Sequence, residues 1–147
     1  MLIRDVLAHK GTRVIGIWAN KSLKDALGLL EERNISSAVV INFENRPIGL
    51  VTDRRLLSAV ARHEARAFEL SVADVMMTPP PTTALETTVA AAMRQMTDER
   101  VRHLVVMDGS RLAGVVSIGD LVKCRLDDFE AETKVLRDLA LAQLSTE

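Results

Sequence analysis

The chain runs to 147 residues, 48% of them apolar and 27% charged, with a formal net charge of −1. This is the composition of a globular protein long enough to bury a core, and its near-neutral balance gives no electrostatic reason to expect a nucleic acid or an anionic membrane as partner. The aromatic side chains Trp18, Phe43, Phe68 and Phe129 are too scattered for a base-stacking platform, and the single cysteine, Cys124, excludes an internal disulfide and suits a reducing compartment.

Residues 2–8 (LIRDVLA) predict a short helical lead-in, broken by HKGT. This start has no apolar signal core, and no apolar run reaches membrane-spanning length, so a soluble cytoplasmic protein is expected. Residues 14–18 predict a short strand. Ser22 then opens a helix with Asp25 three positions on, the spacing of a capping box, and Leu23, Ala26, Leu27 and Leu30 fall on one face. Residues 37–42 (SAVVIN) and 48–51 predict buried strands about a turn at 44–46, and a second helix runs from Asp53 to about Phe68.

The plan then recurs. Residues 72–77 predict another helical lead-in, and TPPP at 78–81 cannot be helix. A strand at 82–84 and a helix at 88–99 follow, the helix turning Val89, Ala92, Met93 and Met96 inward. Residues 103–107 and 112–116 predict a hairpin across Asp108-Gly109. The last helix starts near Asp120 and carries Leu121, Leu126, Phe129, Leu136 and Leu139 well past the point where the first half stops.

The recurrence is also literal. Residues 49–56 (GLVTDRRL) return at 114–121 (GVVSIGDL), 65 positions later, while upstream pairs such as Leu23/Val89, Ala26/Ala92 and Val40/Val106 are offset by 66. A tandem duplication with one residue lost in the hairpin turn explains both offsets. The expected fold is mixed α/β: a β-α-β-β-α repeat over residues 1–71, a second over 72–126, and a helical extension over 127–147. One such unit has too small a sheet to cover both faces, so the two should pack on each other.

The repeated octapeptide is the candidate site. Gly114–Val116 reads as a strand running straight into a helix, with Ser117 at the junction and Asp120 three residues on. Two readings stand. Ser117 and Asp120 form an ordinary capping box; or the helix start takes a phosphate and the carboxylate takes a sugar diol. No P-loop, nucleophile elbow or paired-carboxylate motif occurs, and His9, His63 and His103 lack metal-ligand spacing, so neither an enzyme nor a metal site is expected.

β-α-β-β-α repeats with a GhhT/SxxD/N junction resemble the cystathionine-β-synthase (CBS) domain, here as a tandem pair of the small stand-alone bacterial type. ADVMMTPPP, RVRHLVVMDG and LAGVVSIGDLV carry the likeness most strongly. The resemblance implies a pseudo-twofold module with two clefts that bind adenosine compounds: AMP, ADP, ATP, NAD(H) or S-adenosylmethionine. It implies a regulatory, energy-sensing role, a homodimer and an effector protein yet to be identified. By position it makes Asp120 the ribose clamp and sets Ser117 and the Gly119 backbone by the phosphate. Thr12, Gly16, Ile35, Ser36 and Ser37 surround the base, and Arg102 and His103 face the other cleft. There the clamp position is Arg55, and an arginine has no acceptor for a diol. The competing reading is a structural dimerisation protein with vestigial clefts.

Overall fold

A computed structural model describes residues 1–145; Thr146 and Glu147 of the expected C-terminal extension lie outside the described residues. The first half runs α1 (Ile3–Lys10), β1 (Gly16–Trp18), α2 (Leu23–Arg33), β2 (Ser37–Ile41), β3 (Pro47–Thr52) and α3 (Asp53–His63), then a 3-10 turn, Glu64–Glu69. The second runs α4 (Val72–Val75), β4 (Thr82–Ala84), α5 (Val89–Glu99), β5 (His103–Asp108), β6 (Arg111–Ser117) and α6 (Ile118–Ser145).

Among the described residues there are two three-stranded sheets, ordered β1-β2-β3 and β4-β5-β6. In each, the first pair is parallel and the second antiparallel. The registers correspond: Gly16 faces Val39 as Thr82 faces Val105, and Val40 faces Gly49 as Val106 faces Gly114. Each hairpin slips register at the same place, after Val40 and after Val106. The halves therefore match strand for strand. The residue lost between the two offsets comes out of the hairpin loop and leaves the ladder untouched.

Strand alternation sends neighbouring residues to opposite faces. Ala38 and Val40 join Leu23, Ala26, Leu30 and Leu56 in one core, while Leu104 and Val106 join Val89, Ala92, Met96 and Leu121 in a second. Val39, Leu50 and Val105 point the other way and meet between the two sheets. Each sheet is thus covered by helices on one face and by the other repeat on its second face.

The lead-in helices are exchanged. Ile3, Val6 and Leu7 of α1 are buried in the second core, and Val72 and Val75 of α4 in the first. Isolated bridges fix the exchange: Leu2 pairs with Thr88 ahead of α5, and Ser71 with Ser22 ahead of α2. Burying three aliphatic side chains through α1 stabilises its docking by roughly 1.5–3 kcal/mol each. The exchange also explains the repeated glycine. A Cβ on Gly114 would lie 2.8 Å from Leu7 Cδ2, and one on Gly49 would lie 2.5 Å from Met76 Sδ and 3.0 Å from the Met77 carbonyl oxygen.

Helix ends follow local chemistry. Ser22 and Asp25, and again Ser71 and Asp74, form reciprocal capping boxes. The Ser22 and Ser71 backbone N–H groups donate to these carboxylates and, with the hydroxyl bonds, hold both acids below the usual aspartate range. α2 and α5 end at equivalent left-handed residues, Asn34 and Arg100.

Several element bounds differ from expectation. α1 runs on through His9 to Lys10, past the expected break, and the second hairpin turns at Gly109 and Ser110 because Asp108 pairs with Arg111. β1 starts at Gly16 instead of residue 14; Val14 and Ile15 lead into it, and only the Ile15 carbonyl is used, accepting from Val39. α3 stops at His63, short of Phe68, because Glu64 takes a positive φ and the following 3-10 turn drives Ala67 into the first core. α4 ends at Val75, short of residue 77, because Met77 exchanges backbone hydrogen bonds with Leu50. α6 begins at Ile118, ahead of Asp120, since Ser117 is the capping residue.

Candidate functional site

A cavity of about 470 Å³ opens between the repeats. One wall comes from the segment before β1 (Arg13, Val14, Ile15), the turn between α2 and β2 (Asn34, Ile35, Ser36) and the first residue of β2, Ser37; the other comes from His103, Val115 and Ser117. Lys10, from the end of α1, lines it as well. The apolar lining is Val14, Ile15, Ile35, Val39 and Val115; Lys10 and Arg13 bring positive charge, and Asp53 a carboxylate.

Several expected residues come together here. Ile35, Ser36, Ser37, His103 and Ser117 all face the cavity. Ser36 Oγ and His103 Nε2 lie 2.9 Å apart, a hydrogen bond joining the two repeats. His103 is buried, and burial pushes its pKa below the usual histidine range; Asp53 and Asp120 pull the other way without reversing the shift. A neutral imidazole is therefore the state at neutral pH.

Other expected residues do not face it. Thr12 and Gly16 flank the lining segment on either side and are exposed. Gly119 is exposed in the first turn of α6. Arg102 lines the second cavity. Asp120 is not among the side chains on the first cavity either; its partner Lys10 is.

The Asp120 carboxylate is already engaged. Its Oδ2 accepts from the Ser117 backbone N–H at 2.8 Å and from Lys10 Nζ at 2.6 Å, and the Ser117 hydroxyl accepts from the Asp120 N–H at 3.1 Å. Lys10 Nζ also donates to the Val115 carbonyl at 2.7 Å. Burial works to raise the Asp120 pKa, but the Lys10 and Ser117 hydrogen bonds outweigh it and hold the carboxyl below its usual range. The capping box is present, and the carboxylate is held by the exchanged helix.

The second cavity, about 340 Å³, is lined by Thr52, Asp53, Arg54, Arg55, Arg100, Arg102 and His103. Arg55 stands at the position equivalent to Asp120. Its Nε donates to the Val75 carbonyl at 2.8 Å and its Nη2 to that of Met76 at 3.2 Å. Arg55 and Asp120 therefore do the same structural work, each tying the junction to the other repeat's lead-in helix. Sequence reasoning missed Lys10, because its partners Val115 and Asp120 lie 105 and 110 positions away, and Arg13, which is placed only by the cavity it lines. The repeated glycines at 49 and 114 were the available signal that another segment approaches there.

The CBS domain family model matches residues 3–62 and 72–127. This chain belongs to the CBS domain family. The crystal structure of a CBS-domain-containing protein of Agrobacterium tumefaciens is 34% identical, with a TM-score of 0.82 over 84% of this chain and 92% of that one. Two more distant CBS structures share the fold. A CBS domain pair in complex with 5′-methylthioadenosine and S-adenosyl-L-methionine is 19% identical, with a TM-score of 0.77 over 87% of this chain and 98% of the other. A CBS domain protein of Pyrobaculum aerophilum complexed with AMP is 23% identical, with a TM-score of 0.72 over 82% and 89%. No helix among the described residues is long and apolar enough to cross a membrane.

Proposed function

We propose that this CBS pair is a cytoplasmic regulatory module that senses an adenosine-containing ligand, and that it is not an enzyme. The observation carrying the reading is the first cavity. It is lined by both repeats, with an aliphatic strip for a base and with Lys10 and Arg13 for a phosphate. Its volume of about 470 Å³ suits a nucleotide. The ligands of two solved CBS pairs, AMP in one and methylthioadenosine with S-adenosylmethionine in the other, support the adenosine class.

In this reading Ile35, Ser36 and Ser37 hold the base, with Thr12 and Gly16 at its margin. Ser117 and the Gly119 backbone meet the phosphate, and Asp120 takes the ribose diol once Lys10 has moved from it. Arg102 and His103 face the second cavity, where Arg55 leaves no diol acceptor. The ligand touches both repeats, so its binding stiffens their relation and passes the signal to an effector protein. Lys10 on Asp120 favours a second reading, a structural module whose clamp is permanently closed.

Melting curves with AMP, ATP, NADH and S-adenosylmethionine decide between them. A ligand at a hundred times its Kd adds about 2.7 kcal/mol, a rise of roughly 5–10 °C at this chain length. Calorimetry on Asp120→Asn and Arg55→Met assigns the site: the first should lose about ten- to a hundredfold in affinity, the second little. No shift with any of the four ligands leaves the structural reading.

A further inference from the structure

Beyond Cys124, α6 leaves the module. Its apolar side chains Leu126, Phe129 and Leu136 are 58%, 66% and 67% exposed, and among the described residues none past Cys124 joins either repeat's core. Most helical stability in proteins comes from packing one face of the helix, and this stretch packs none against its own module.

The spacing of its apolar residues is regular. Val122, Leu126, Phe129, Thr133, Leu136, Ala140 and Gln143 follow one another at alternating steps of four and three, the seam of a coiled coil. The seam is about 32 Å long at 1.5 Å per residue. Its flanks carry Arg125, Glu130, Glu132 and Arg137. Among the described residues none of these four is in an ion pair within the chain.

We infer that residues 122–144 form a parallel two-stranded coiled coil with the same helix of a second copy. In a parallel pair each flanking residue before a seam position meets the residue five further on in the partner. Arg125 then faces Glu130 of the partner subunit, Glu132 faces Arg137 of the partner subunit, and Leu139 faces Leu144 of the partner subunit. Both charged contacts are attractive and the third is apolar. The antiparallel register over the same stripe keeps Glu130 with Arg137 but sets Glu132 against Leu139 and leaves Arg125 without an acid. Charge order therefore selects a second copy, in parallel. Val135 and Leu141 lie off the seam, as scattered exposed aliphatics commonly do.

The test uses full-length chains. Arg125→Glu with Arg137→Glu makes the flanks acidic, and Glu130→Arg with Glu132→Arg makes them basic. By sedimentation each variant alone should dimerise at least about tenfold more weakly than the wild type, and a mixture should recover a heterodimer. Ala140→Cys in a Cys124→Ser chain should form a disulfide-linked dimer under mild oxidation, because only the parallel seam sets position 140 against itself. A wild-type monomer throughout the micromolar range overturns the proposal. So does a dimer indifferent to the charge changes, or one in which Ala140→Cys does not cross-link.

Discussion

Replacing Lys10 by methionine separates the two jobs placed on Asp120. The substitution keeps the aliphatic stem and removes the ammonium that donates to Asp120 at 2.6 Å and to the Val115 carbonyl at 2.7 Å. The Lys10 and Asp120 side chains are 37% and 26% exposed, so solvent screens the pair and its worth is about 0.5–1 kcal/mol. Lys10→Met should therefore lower Tm by about 1.5–4 °C at this chain length. A ribose diol that takes both Asp120 oxygens must displace Lys10 from Oδ2, so removing the competitor should tighten adenosine, an uncharged probe, by about two- to fivefold. AMP should gain less, because the same substitution removes a cation from the cavity wall. Calorimetry with adenosine and AMP at one ionic strength reads both effects. If Tm falls as expected while adenosine affinity stays the same or weakens, Asp120 does not hold the ribose.

Two further expectations concern the scaffold. Gly114→Ala places a methyl 2.8 Å from a leucine tip that can give way, and Gly49→Ala places one 3.0 Å from the Met77 carbonyl, which is fixed by its bond to Leu50; the costs should be about 1 and about 2–3 kcal/mol by urea unfolding, and Gly114→Ala should cost less in a Leu7→Ala chain, strict additivity counting against the exchanged packing. The lowered pKa of His103 means that the unfolded chain holds more protons between that value and about 6.5, so stability should drop as pH falls through about 6.5 and level off below the folded value; His103→Gln should flatten that step, leaving the separate acid loss from Asp120, whose contribution disappears only as pH falls below about 3.8.

Much of this protein was legible in residue order alone. The duplication shows in Gly49, Val51 and Leu56 returning as Gly114, Val116 and Leu121. The strands and helices show in period-two and helical spacing, and the capping box of Ser22 and Asp25 shows in a three-residue interval. These are local signals, read from neighbours a few positions apart. The cavity's Ile35, Ser36, Ser37 and Ser117 were found by position through the family resemblance.

Tertiary structure alone decided which core each lead-in helix enters. Ile3, Val6 and Leu7 have an apolar face that either core could bury; the Leu2–Thr88 bridge and the backbone bonds from Ile3 to Thr87 and from Arg4 to Leu85 assign them to the second. That choice brings Lys10 to Asp120 and lets Arg55 reach the Val75 and Met76 carbonyls. Spacing within the octapeptide describes the carboxylate's bond to its own helix start. It is silent on a cation delivered from 110 residues away, because that contact depends on where the chain returns in space.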